Sequence, residues 1–144
     1  MKSIKVDTSE EKKEELQQKL IIYQLLQKRL EELQQHALLL ERRFVEIETA
    51  KNTVADIEKL SKGSELYFPL GSGVFAKGSI VSISDMMVEL GSGIVMAKDP
   101  KSVKDFLEGK EKELEKSADE LQDEMKHTME KVNEIAEELR DMSQ

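Results

Sequence analysis

The sequence predicts a mainly α chain with a small β insert: an antiparallel two-helix coiled-coil hairpin, with two β-hairpins between the helices that form an intersubunit β barrel. Three observations predict it. Apolar residues recur at heptad spacing through both ends of the chain. Every glycine except Gly109 lies between Gly63 and Gly93. A Gly-Ser-Gly turn follows a leucine twice, at Leu70-Gly71-Ser72-Gly73 and again 20 residues later at Leu90-Gly91-Ser92-Gly93.

Composition sets the frame. The 144 residues include 4% aromatics, no Trp and 36% charged side chains, too little apolar bulk for a large globular core. A hydrophobic share of 38%, regularly spaced, is nevertheless enough to offset the entropy of ordering the chain. The whole of 1–144 therefore reads as one thin, ordered domain, with a helix over 8–61, a β region over 64–98 and a helix over 99–142.

In the first helix, heptads written with position a at Leu16 place Leu16, Tyr23, Leu30, Ala37 and Phe44 at a, and Lys19, Leu26, Leu33, Leu40, Ile47 and Val54 at d. Only Lys19 breaks this seam before Lys51. Thr8 and Glu11 have capping-box spacing, and Gly63 suits a left-handed terminator. At ~1.5 Å rise per residue the helix spans on the order of 75 Å.

Between the helices, β-branched and apolar residues alternate with small ones. Strands are predicted over Leu66–Pro69, Val74–Ile83, Met86–Leu90 and Ile94–Ala97, turning at Gly71-Ser72-Gly73, Ser84-Asp85 and Gly91-Ser92-Gly93. Pro69, which has no amide hydrogen to donate, belongs at a strand end or a sheet edge. The segments around the two Gly-Ser-Gly turns echo each other, so the hairpins should be similar in structure.

The second helix starts at Asp99 as N-cap with Pro100 in its first turn. Its seam is Leu114, Ala118, Leu121, Met125, Thr128, Val132, Ile135, Leu139 and Met142, at strict 4-3 spacing. The turns send the chain back, so the helices should run antiparallel with Ser61 facing Pro100, and Met142 should run out opposite Glu15–Leu20. Each fully buried seam Leu or Ile contributes ~1.5–3 kcal/mol, more than exposed ion pairs do.

Four short strands with no covering helix leave apolar faces and open edges. Partner chains are expected to supply the missing strands. The assembly residues are then Leu66, Phe68, Val74, Phe75, Ile80, Val81, Ile83, Met87, Val88, Ile94 and Val95, too many for one face of one small sheet.

A long heptad helix, the run Tyr67-Phe68-Pro69-Leu70-Gly71-Ser72-Gly73-Val74-Phe75-Ala76-Lys77-Gly78, a second Gly-Ser-Gly hairpin and a second long helix together resemble an α-type prefoldin subunit over nearly the whole chain. Pro69 to Gly78 is the specific part, and the two hairpins point to the α class. The lack of Cys and the compact length resemble archaeal members. The resemblance implies a hetero-hexamer of two α-type and four β-type prefoldin subunits, joined through β barrels. It also implies capture of unfolded polypeptide clients without ATP and delivery to a group II chaperonin. Apolar residues at the coiled-coil tip, Leu16, Leu20, Ile135, Leu139 and Met142, with Ile4 and Val6 on the preceding arm, are the candidate client-contact set. The alternative from another class is a structural protein that forms filaments or tethers without client transfer.

Other chemistries fit poorly. Gly71-Ser72-Gly73-Val74-Phe75-Ala76 nearly matches a dinucleotide fingerprint, but a strand follows where the pyrophosphate needs a helix N-terminus. His36 and His127 fall at heptad positions g and c, so their rings project in different directions and make a poor metal pair. The acidic residues of the second helix lack the pocket that paired catalytic carboxylates need. No enzyme activity, cofactor or metal is expected. Charges of 12 basic and 12 acidic residues over 1–62 against 8 and 14 over 101–144 argue against nucleic acid. No apolar run suggests a signal peptide or membrane span, and the absence of Cys fits a reducing compartment, so a cytoplasmic location is expected.

Overall fold

A computed structural model describes residues 8–144, in the order α1 (Thr8–Glu58), β1 (Glu65–Gly71), β2 (Val74–Ser79), β3 (Met86–Gly91), β4 (Ile94–Lys98) and α2 (Pro100–Met142). The two long helices and two intervening hairpins are those the sequence predicts. Ile4 and Val6 lie outside the described residues.

The chain divides into two compact units, one pairing residues up to Glu41 with Lys116–Gln144, the other formed by Arg42–Glu115. In the first, the helices run antiparallel, as the Lys19–Glu138 and Arg29–Glu124 ion pairs show. The predicted seams pack here: Leu33, Leu40, Leu121, Thr128 and Val132 are buried, and Leu16, Leu26, Leu30, Met125, Ile135, Leu139 and Met142 are half-buried. Lys19, the seam's one charged interruption in this unit, keeps its place by reaching Glu138 at 3.0 Å and Glu15 at 3.3 Å. An ammonium on a long apolar stem fills a seam position when its head finds carboxylates at the rim.

In the second unit the helices are again antiparallel, with Lys51 on Glu111 at 3.1 Å and Glu58 on Lys104 at 2.5 Å. A small core of Val54, Val88 and Val103, flanked by Met86, Phe106 and Leu107, ties both helices to the second hairpin. Helix α1 stops at Glu58 rather than at residue 61. There the Lys59 and Leu60 amides donate to the Asp56 and Ile57 carbonyls, the i→i+3 pattern that tightens a final turn.

Both hairpins are antiparallel, and each is its own two-stranded sheet. Strand β2 ends at Ser79, not at residue 83. Ile80 still bonds through its N–H to Ser64 O and through its C=O to Gly63 N, but Gly63 (φ 88°) turns the chain away toward α1, and beyond Ile80 no strand remains to pair with. Residues 80–85 are therefore a connector. Pro69 sits within β1 opposite Phe75, permitted because each strand of a two-stranded sheet is an edge.

Helix α2 opens as its sequence dictates. The Asp99 carboxylate accepts from the Ser102 amide at 2.8 Å, while the Asp99 carbonyl accepts from Val103 N–H.

Candidate functional site

The two hairpins are built alike. At each tip a Ser-Gly pair has both φ values positive, 51° and 78° at Ser72-Gly73 and 52° and 75° at Ser92-Gly93, the requirement of a type I′ turn whose twist matches its strands. Each ladder slips at the same place, between Pro69 and Gly71 and between Glu89 and Gly91, leaving Leu70 and Leu90 as bulge residues. Repeated sequence therefore yields repeated register, with Phe68 opposite Ala76 and Val88 opposite Met96.

Alternation along the strands separates two faces. On the inner face of the first hairpin, Leu66 and Phe68 join Ile57, Ile80, Val81 and Met86 around an open cleft of ≈ 400 Å³. The opposite face carries Tyr67 and Phe75, 70% and 60% exposed, and a Glu65–Lys77 ion pair at 2.9 Å. The second hairpin buries Val88 and presents Met87 and Val95 outward. Each strand has an unpaired backbone edge, and such rows of free N–H and C=O groups are templates for another strand.

Of the predicted assembly residues, Phe68, Val74, Phe75, Val81, Met87, Ile94 and Val95 are exposed, whereas Leu66, Ile80 and Ile83 are half-buried and Val88 belongs to the chain's own core. Tyr67, Leu70, Leu90 and Met96 are also exposed and went unnoticed in the sequence. The hairpin register was the missing signal: Tyr67 shares a strand face with the exposed Phe75, opposite Lys77, and the two leucines are bulges.

Within the first unit, Leu16 and Met142 line an open cleft of ≈ 460 Å³ with Lys12, Lys13, Glu15, Lys19, Asp141 and Gln144, so the end of α2 lies where the heptads place it. Of the predicted tip residues described, Leu16, Ile135, Leu139 and Met142 are half-buried in the seam, and Leu20 is 42% exposed. The larger exposed apolar surface is on α1: Ile21, Ile22 and Leu25 beside Leu20, then Leu38 and Leu39 further along. These lie off the a and d positions, so a seam search passes over them. Their signal is apolar side chains at heptad positions that a two-helix coil leaves in water.

Electrostatics here is structural. Glu138 holds the Lys19 ammonium above the ordinary lysine range, chiefly by accepting its hydrogen bond, with Glu15 adding to it. Glu111 does the same for Lys51. Asp99 is held below the ordinary carboxylate range by hydrogen bonds from the Ser102 hydroxyl and amide. His36 and His127 are both exposed. Among the described residues, no cluster of three or more His, Asp or Glu could hold a metal ion, and no helix is long and apolar enough to cross a membrane.

Open-edged twin hairpins between antiparallel helices describe an assembly subunit, and comparison with known proteins agrees. A family model for prefoldin subunits matches residues 26–144. The chain belongs to the prefoldin family. This prefoldin subunit is 28% identical over 123 residues to prefoldin subunit alpha of Pyrococcus horikoshii, covering 85% of this chain and 83% of that one. It is 26% identical to the Archaeoglobus fulgidus alpha subunit, covering 87% and 91%. With that of Thermococcus onnurineus it shares 32% identity over 104 residues, covering 72% and 71%. Its fold matches a chain of filamentous prefoldin from Methanocaldococcus jannaschii with a TM-score of 0.73 at 16% identity, over 81% of this chain and 96% of that one. It is thus an α-type, archaeal-like subunit of a chaperone family rather than an enzyme family, and its partners are other prefoldin subunits.

Proposed function

We propose that this subunit works as an ATP-independent holdase within a hetero-hexamer of two α-type and four β-type subunits, capturing unfolded polypeptides and passing them to a group II chaperonin in the cytoplasm. The observation that carries the holding role is the group of exposed apolar side chains Leu20, Ile21, Ile22 and Leu25 within six residues of α1. Each residue offers a weak apolar contact, and several subunits acting together turn weak contacts into retention through effective concentration. Leu16, Ile135, Leu139 and Met142 extend that surface wherever the terminal turns of the pair open, and Ile4 and Val6, outside the described residues, complete the candidate contact set.

Assembly rests on the exposed hairpin residues Phe68, Val74, Phe75, Val81, Met87, Ile94 and Val95. Partner strands added along the open edges close a barrel and remove those edges from solvent. The mainly apolar capture surface supports holding by burial of the client's own apolar side chains.

The test is the aggregation of a chemically denatured protein diluted into buffer without nucleotide. The assembled complex should delay it at stoichiometric ratios. No delay at a several-fold excess would overturn the holding role.

A second possibility, filament formation or tethering without client transfer, is favoured by one observation: both hairpins are open at both edges, so head-to-tail addition need not close. The Methanocaldococcus jannaschii protein of similar fold is filamentous. An open ladder of masses for this chain alone would favour the filament, and a closed complex with a β-type partner would favour the chaperone.

A further inference from the structure

The twin hairpins have the same register, so the positions at which their sequences differ are chemical differences set on matched backbones. Three of those positions carry methionine in the second hairpin only. Leu66 corresponds to Met86, Tyr67 to Met87 and Ala76 to Met96. Met86 packs against the Val54, Val88 and Val103 core. Met87 and Met96 do not share that protection, being 72% and 49% exposed. They stand on opposite strands and opposite faces, Met87 paired with Ala97 and Met96 with the buried Val88, so both surfaces of the second hairpin carry an accessible thioether. The first hairpin carries none.

We propose that Met87 and Met96 are oxidation sites that make the second hairpin a peroxide-sensitive assembly joint, while the first hairpin stays insensitive. The proposal rests on the hairpins being the assembly surfaces. In the chemistry, a sulfur lone pair attacks one oxygen of a peroxide, an S–O bond forms as the O–O bond breaks, and the departing hydroxide leaves as water with the proton shed by the transferred oxygen. The thioether is oxidised by two electrons and the peroxide is reduced by two. The product sulfoxide is a strong hydrogen-bond acceptor where an apolar side chain stood. Buried against a partner strand's apolar side chains it would be unpaired, which opposes association. Oxidation would thus act on the unassembled subunit, and partner strands over the hairpin would shield both sulfurs once assembly is complete.

The test uses the full chain treated with hydrogen peroxide before or after mixing with a β-type prefoldin subunit, with peptide mass mapping and titration of complex formation. The isolated chain should gain one oxygen at Met87 and one at Met96, and both should be protected after assembly. The oxidised chain should need at least about tenfold more partner for half-assembly, equivalent to roughly 1.4 kcal/mol. A Met87→Leu/Met96→Leu chain, whatever its own untreated half-assembly concentration, should show that same concentration after treatment, since leucine keeps the apolar volume and has no sulfur to oxidise. If a chain shown by mass to be oxidised at both sites assembles at the untreated concentration, the proposal is overturned. It is equally overturned if the double variant loses assembly on oxidation as the parent does, since other methionines would then be responsible. Failure of the untreated chain to join the partner would instead overturn the assembly role itself, and this proposal with it.

Discussion

The Phe68 ring lies across the backbone of Gly78, so close that a Cβ at residue 78 would stand 2.7 Å from Phe68 Cε2. The ring covers a bare stretch of β2 diagonal to its own cross-strand partner Ala76, as an aromatic does when it shields a strand glycine. Phe68 thereby fills the hairpin's inner face and still leaves 43% of its surface for a partner.

Gly78→Ala should therefore act through Phe68. The methyl pushes the ring off its rotamer at a cost of about 0.5–1.5 kcal/mol. In a Phe68→Ala background that cost should vanish, so a double-mutant cycle followed by denaturant unfolding should show a coupling energy of similar size. Additive effects would mean that the two residues do not meet.

Position on α1, rather than hydrophobicity, should decide stability. Leu40 is 5% exposed and Leu38, two residues earlier, is 59% exposed. Leu40→Ala should cost about 2–5 kcal/mol and Leu38→Ala no more than about 0.5 kcal/mol, read from denaturation midpoints. Val132→Ala should side with Leu40→Ala.

The opposite pattern is expected for client holding. Replacing Ile21 and Leu25 with Ser should leave the unfolding midpoint nearly unchanged, because exposed side chains carry little of the fold, and under the proposed holding role it should shorten the delay of client aggregation at least about twofold. An unchanged delay in a correctly assembled complex would move the capture surface elsewhere.

The start of α2 should respond to acid. Asp99 in the folded chain titrates below the ordinary carboxylate value because its charged form accepts hydrogen bonds from the Ser102 hydroxyl and amide. A depressed folded pKa means that the cap stabilises fully above the unfolded value of about 3.9 and loses that contribution as pH falls through the folded value. The Ser102 and Val103 amide resonances should shift toward unfolded positions below about pH 4, and Asp99→Asn, which retains an acceptor without the titration, should flatten the response.

Much of this was legible in the residues. Heptad spacing located both helices and the seam from Leu16 to Val54 and from Leu114 to Met142, with Lys19 as its break, because period and burial are tied directly in a two-helix coil; Val103, buried against Val54, lies outside that spacing. The Gly-Ser-Gly repeats located both hairpins because a type I′ turn leaves few other residue choices. The end of β2 was not legible. Ile80, Val81 and Ile83 continue an apolar pattern, yet a strand lasts only as long as its partner, and the partner is turned away at Gly63. Nor could the inward turn of Val88 be read, since it depends on Val54 and Val103, distant in sequence. The exposed α1 cluster escaped notice for the converse reason. Ile21 and Leu25 occupy heptad positions f and c, which a two-helix coil leaves in water, so the seam period does not mark them.

Whether the open hairpins make this chain one subunit of a closed chaperone complex is decided by native mass measurement of the chain mixed with a β-type prefoldin subunit. A single closed species with the mass of two copies of this chain and four of the partner is expected. A mixture in which this chain stays monomeric, or grows into an open ladder that excludes the partner, would contradict it.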